Sequence, residues 1–113
     1  RKCGYNMIAA ATGAEAIRVY FQTLKSGINF DLIILDLGLP DIDGYLLCEI
    51  FRLKQNADNL RTPILAYTAQ EQPNQEAQEN FIKLGFDELI VKGVGLDSFK
   101  KKIDYWLEND PSR

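Results

Sequence analysis

The stretch Phe30 to Leu37, FDLIILDL, limits the fold more than any other part of the chain. It is apolar almost throughout, with acids only at positions 31 and 36. A run of this kind suits a strand covered on both faces, as in a parallel sheet. Three other short runs read the same way: Tyr5 to Ala10 (YNMIAA), Pro63 to Thr68 (PILAYT) and Phe86 to Lys92 (FDELIVK).

The segments between them carry helical periodicity. Thr12 and Glu15 form a T-x-x-E capping box, followed by an apolar face of Ile17, Tyr20, Phe21 and Leu24; Ser26-Gly27 ends that helix. A second helix starts at Asp43-Gly44, with Leu46, Leu47, Ile50 and Phe51 inward, and Gln55 to Thr62 reads as a polar loop. Pro73-Asn74 opens a third, with Ala77, Phe81 and Leu84 inward and Gly85 closing it. Leu96, Phe99, Ile103, Trp106 and Leu107 give the last helix its face, and the tail ENDPSR reads as disordered. The order is β-α-β-α-β-α-β-α. Such alternation predicts an α/β fold, a doubly wound parallel sheet with helices on both faces and right-handed crossovers. At 113 residues the chain is long enough for one domain.

Composition removes several kinds of chemistry. The absence of histidine excludes a serine–histidine triad, a histidine metal site and a histidine phosphodonor within the chain. A net charge of −3 argues against direct nucleic-acid binding, which needs a basic face. No apolar run approaches the roughly 20 residues that span a bilayer. Cys3 and Cys48 are far apart and form no disulfide frame or metal knuckle, which points to a reduced, cytoplasmic setting. Cys48 and Trp106 read as core packing.

In open parallel sheets, ligands bind at the carboxyl ends of the strands. Asp36, Thr68 and Lys92 each fall at such an end. A carboxylate, a hydroxyl and an ammonium meeting in one crevice suit phosphoryl chemistry: the first as nucleophile, the others as holders of phosphoryl oxygens. Taken singly, each has a plainer reading. Asp36 would be a loop acid or helix cap, Thr68 a β-branched strand residue, Lys92 a solvated strand end. Their shared edge carries the argument. Other motifs fail. DIDG at 41–44 would put Leu39 and Ile50 where a calcium loop needs ligands. Gly93-Val94-Gly95 is too short for a nucleotide fingerprint. A phosphatase of the haloacid dehalogenase type would have a second aspartate where this chain has Gly38.

With DLIILDLGLPDIDG, PILAYTA and GFDELIVK, the chain resembles a receiver domain of two-component signalling, the family of the chemotaxis response regulator, over essentially its whole length. The wording DLGLPDIDGY is most like receivers of hybrid sensor histidine kinases. The resemblance implies a flavodoxin-like sheet of strand order 2-1-3-4-5 and a single receiver domain over residues 1–113. It implies that Asp36 is the phosphoacceptor, taking its phosphoryl group from a histidine kinase or histidine phosphotransfer protein. Thr68 would follow that group, and Lys92 would pair with its charge. Mg²⁺ would be held by Asp36 and the Gly38 backbone carbonyl with further acids, and Pro40 and Gly44 would shape the loop. Such a domain acts on itself alone and is not an enzyme towards other substrates. It makes no contact with nucleic acid or membrane, and a homodimer is compatible with it.

The chain departs from the family pattern in three ways. Gly93 follows the lysine where proline is usual, which implies a looser loop. Leu89 holds a switch position that is often aromatic, so output through an aromatic swing against Thr68 gives way to loop movement. The family's first strand, its paired metal-binding acids and most of its first helix have no counterpart. A trimmed domain that binds Mg²⁺ weakly is the expectation. The alternative is a pseudo-receiver, a protein-contact module that works without phosphorylation.

Overall fold

A computed structural model describes residues 8–69 and 75–108. Its elements in chain order are α1 (Gly13–Lys25), β1 (Ile33–Asp36), α2 (Gly44–Ala57), β2 (Ile64–Thr68), α3 (Gln75–Lys83), β3 (Glu88–Val91) and α4 (Leu96–Glu108). Among the described residues the sheet has three strands, ordered β1-β2-β3 and all parallel. This run corresponds to the last three strands of the expected order. Of the expected first strand, Tyr5 to Met7 lie outside the described residues, and Ile8 to Ala10 do not join the sheet. Pro73, Asn74, Cys3 and the tail beyond Glu108 also lie outside them.

The strands are shorter than the apolar runs. Pairing of β1 with β2 begins where Ile33 N–H donates to Pro63 O at 2.9 Å. Pro63 has no N–H to extend the ladder further back. The register then matches Leu35 with Ala66 and Asp36 with Tyr67, and Tyr67 with Ile90 and Thr68 with Val91. Alternation sends Leu35, Ile64 and Ala66 to one face, where they pack with Tyr20 of α1, Leu47, Cys48 and Phe51 of α2, and Phe86. Each large apolar side chain fully buried there contributes ~1.5–3 kcal/mol. On the other face Leu65 and Ile90 are buried, as is Ile103 of α4, and α4 meets this face where Phe99 packs against Tyr67.

Local signals set the helix starts. Thr12 Oγ1 accepts from Glu15 N–H at 3.1 Å, and the Glu15 carboxylate reaches back to Ala11 N–H at 2.7 Å. This is a capping box shifted by one residue. Asp43 caps α2 by accepting from Tyr45 N–H. Gly44 follows because a Cβ there would lie 2.6 Å from Leu37 Cδ2 and 2.9 Å from Leu37 Cα.

That close approach fixes the rotation of α2 and corrects its expected inner stripe. Leu47, Cys48, Phe51 and Gln55 are buried, while Leu46 is half exposed. The helix also continues to Ala57, through the start of the expected polar loop. Phe21, Leu84 and Leu96, expected inward, are exposed. The side chains of Ala77 and Phe81 lie outside the described ones.

A polar network closes the end of the sheet opposite the strand termini. The Asp87 carboxylate, 12 % exposed, accepts from Arg52, Arg61 and the Ile64 N–H. Arg52 also donates to Gly85 O, Thr62 O and Gln55 Oε1. Five groups from α2, its following loop, β2 and the α3–β3 turn thus share one guanidinium and one carboxylate. Replacing Asp87 with Ala leaves Arg52 buried without its counter-charge and an N–H of β2 without its acceptor. Urea denaturation is expected to show a loss of ~3–5 kcal/mol, as a lower midpoint at unchanged slope.

Candidate functional site

β1 ends at Asp36, and the chain turns at once. Asp36 Oδ1 accepts from Gly38 N–H at 2.7 Å, an aspartate turn that closes on the residue two ahead. Lys92 follows β3 directly, and its own N–H donates to Thr68 O at 2.6 Å. Alternation puts its side chain on the same face as Tyr67 and Asp36. There Lys92 Nζ stands 3.1 Å from both Asp36 oxygens. The pair bridges the two outer strands of the sheet across β2. It remains open to solvent, with the Asp36 side chain 38 % exposed and that of Lys92 36 %, so a donor group can reach it.

Thr68 lies one residue past Tyr67, the register partner of Asp36. It shares the strand edge but belongs to the opposite pleat and is only 5 % exposed. Thus Asp36 and Lys92 are in contact, and Thr68 stands beside them on the central strand, with its side chain turned into the sheet's other face. Gly38 borders the pair closely: a Cβ there would lie 3.3 Å from Asp36 Oδ1 and 3.8 Å from Lys92 Nζ.

The loop from Leu37 to Asp43 is fastened by carboxylates. Asp41, whose role no local motif announced, accepts from Gly13 N–H at 2.7 Å and Ala14 N–H at 3.0 Å. It sits as an anion at the positive N-terminus of α1, and those N–H bonds hold its carboxyl below the ordinary aspartate value. Partial burial pushes the Asp36 carboxyl up, but the Gly38 N–H and the Lys92 ammonium outweigh it, so it too lies below the ordinary value. A carboxyl depressed in this way adds stability above its unfolded value and loses it as pH falls through its folded value. A further aromatic completes the surroundings: Lys92 Nζ lies 5.4 Å from the centre of the Tyr67 ring.

Magnesium prefers one or two carboxylates together with a carbonyl and waters. The Asp36 carboxylate and the Gly38 carbonyl are donors of that type. However, Asp41 commits both oxygens and Asp43 one oxygen to backbone N–H groups. Among the described residues no three acids, cysteines or histidines come together. Among the described residues, Asp36 and the Gly38 carbonyl are the donors of magnesium type at this strand end.

The sequence profile of the response regulator receiver domain matches residues 1–104. The chain belongs to that family. This receiver is 27% identical over 109 residues to the hybrid signal transduction protein dokA of Dictyostelium discoideum, covering 96% of this chain and 6% of that protein. It is 32% identical over 100 residues to the sensor histidine kinase AruS of Pseudomonas aeruginosa, covering 88% of this chain and 9% of that protein. The chain therefore spans a small part of these relatives.

Among solved structures, it is similar to the receiver domain of a sensor histidine kinase from Pseudomonas aeruginosa PAO1, which has a magnesium ion coordinated in its active site cleft. The identity is 26% and the TM-score 0.73, over 95% of this chain and 80% of that one. The chemotaxis protein CheY4 of Vibrio cholerae gives 26% and 0.73, over 92% of this chain and 79% of that one. The flavodoxin-like receiver fold expected from the sequence is thus the fold observed.

Two measurements follow from this geometry. In Lys92→Gln the Asp36 carboxyl is expected to titrate closer to its ordinary value; side-chain carboxyl carbon shifts against pH will show this, and an unchanged midpoint would deny the ion pair its part. Magnesium titration followed by Trp106 fluorescence should give a weak response without saturation, and tight saturable binding would contradict the donor count.

Proposed function

We propose that this receiver accepts a phosphoryl group onto Asp36 from a phosphohistidine of a histidine kinase or histidine phosphotransfer protein. The observation that supports this best is the solvent-accessible contact of Asp36 with Lys92 at the mouth of the sheet. An Asp36 oxygen attacks phosphorus, the phosphorus–nitrogen bond breaks, and the leaving imidazole takes the electron pair and then a proton. The depressed carboxyl keeps Asp36 ionised and ready as nucleophile at neutral pH. The Lys92 ammonium meets charge building on the phosphoryl oxygens, where a fixed cation stabilises the transition state. In this reading the Thr68 hydroxyl, on the adjoining strand end, would follow the transferred phosphoryl by turning from the sheet's other face, where it is 5 % exposed.

In this reading the product is a covalent state of the domain itself. Its consequence is a changed protein-contact surface rather than turnover of an external substrate, and the setting is the cytoplasm. The magnesium coordinated in the related kinase receiver supports metal as the family's charge-neutralising partner.

The second reading is a pseudo-receiver that works by contact alone. It is favoured by the shortage of acidic ligands among the described residues. Incubation with Mg²⁺ and acetyl phosphate, followed by intact mass, separates the two. One added phosphoryl, lost in Asp36→Asn and formed roughly 10²-fold more slowly in Lys92→Gln, is the expected result. A chain that never gains mass would be a pseudo-receiver, and steady turnover of phosphate esters would mark a phosphatase.

A further inference from the structure

The ammonium of Lys92 has two neighbours of different kinds. One is the Asp36 carboxylate at 3.1 Å. The other is the face of Tyr67, with the ring centre 5.4 Å away, within the range at which a cation is held by an aromatic quadrupole. Tyr67 in turn packs against Phe99 of α4, centroid to centroid 5.8 Å, with the rings tilted by 59°. Asp36, Lys92, Tyr67 and Phe99 therefore form a continuous line from the strand-end carboxylate to the last helix.

Packing alone does not call for a tyrosine here. Leu65, two residues earlier on the same face, is fully buried with no aromatic character. Tyr67 is only half-buried and sits where the sheet opens. The chain has a second cation over a ring, Lys54 over Phe21 at 5.7 Å, but that lysine is paired with Asp58 on its own helix turn and leads to no strand end.

The support of α4 is uneven along its length. Near its C-terminal end Trp106 Nε1 donates to Glu88 Oε1 at 2.6 Å, and Lys102 pairs with the other Glu88 oxygen. Near its N-terminal end the ring contact with Tyr67 joins it to the site. The segment between Lys92 and α4 offers little resistance: a Cβ on Gly93 or Gly95 would touch nothing within 4 Å, and Gly93 has φ +98°.

We infer that Tyr67 is a positioning residue that reports the charge state of Asp36 to α4, through the share of the Lys92 ammonium that its ring holds. The inference rests on the receiver reading of Asp36. A phosphoryl group on Asp36 brings more negative charge and more acceptor oxygens than the carboxylate. It draws the ammonium off the ring, and the Tyr67–Phe99 contact at the head of α4 readjusts while Glu88 holds the far end. This gives the chain an aromatic sensor one strand away from the position Leu89 occupies, on the sheet face that α4 meets.

The test is a double-mutant cycle read by NMR on the ring resonances of Phe99. Asp36→Asn removes the carboxylate charge at nearly constant shape. It is expected to shift Phe99 in the wild-type background and in Tyr67→Phe, which keeps the ring. The shift should vanish in Tyr67→Leu and in Lys92→Gln; the latter leaves the aromatic contact intact, so the test survives if Tyr67→Leu folds poorly. A Phe99 shift that persists in folded Tyr67→Leu or in Lys92→Gln overturns the relay, as does its absence in the wild-type background. The mass of the acetyl phosphate product is read in parallel. An adduct with Phe99 unmoved overturns the relay alone, and no adduct in the wild type overturns the receiver reading, with which the relay falls as a phosphorylation sensor.

Discussion

Everything at the functional end of the molecule depends on the parallel register of β2 with its two neighbours. That register matches Asp36 with Tyr67 and Tyr67 with Ile90. It brings a carboxylate from one outer strand and an ammonium from the residue after the other to the same face, with Lys92 two residues beyond the level of Asp36 and its side chain reaching back to the carboxylate. Each charge compensates the other in a half-exposed position, where neither would be held by burial alone. A register slip of one residue would turn one of them to the opposite face, and the pair would be lost.

The rest of the crevice is held by the same device used repeatedly: a carboxylate accepting backbone N–H bonds. Asp36 closes on Gly38, Asp41 on the start of α1, and Asp43 on the start of α2. The result is a loop whose backbone is fixed at three places while Gly38, with no side chain, leaves the Asp36 oxygens accessible. The far end of the sheet inverts this arrangement. There Arg52 gathers backbone carbonyls from two segments and the Gln55 amide oxygen of its own helix beside the single acid Asp87. One end is built for stability and the other for access, and the buried apolar layer of Leu47, Phe51, Ile64 and Phe86 joins them.

The sequence disclosed much of this. The four described helices, the three described strands and the acid, hydroxyl and ammonium at the strand ends were legible because each rests on a local pattern. What it misjudged was rotation and reach. Leu46 and Leu47 are equally apolar neighbours, yet only Leu47 faces the core, because the contact of Gly44 with Leu37 decides how α2 is turned. Leu84 and Leu96 lie at helix ends, where periodicity weakens and the face is set by what lies beneath. The role of Asp41 was not legible at all: its partners are 28 and 27 residues away. Tyr67 was not singled out either: that it shares the face of Asp36 follows only from the register of β1 with β2.

The amino-acid sequence by itself determined which segments become strands and helices, where two helices begin, and which chemical groups stand at the strand ends. Those are consequences of residue periodicity and of hydrogen bonds spanning a few positions. Only the tertiary structure decided that Lys92 divides itself between a carboxylate and a ring, that α4 is joined to the site through Phe99, and that an aspartate from one loop caps a distant helix. These contacts depend on the register of three strands and the orientation of helices across them. No stretch of the chain encodes either by itself.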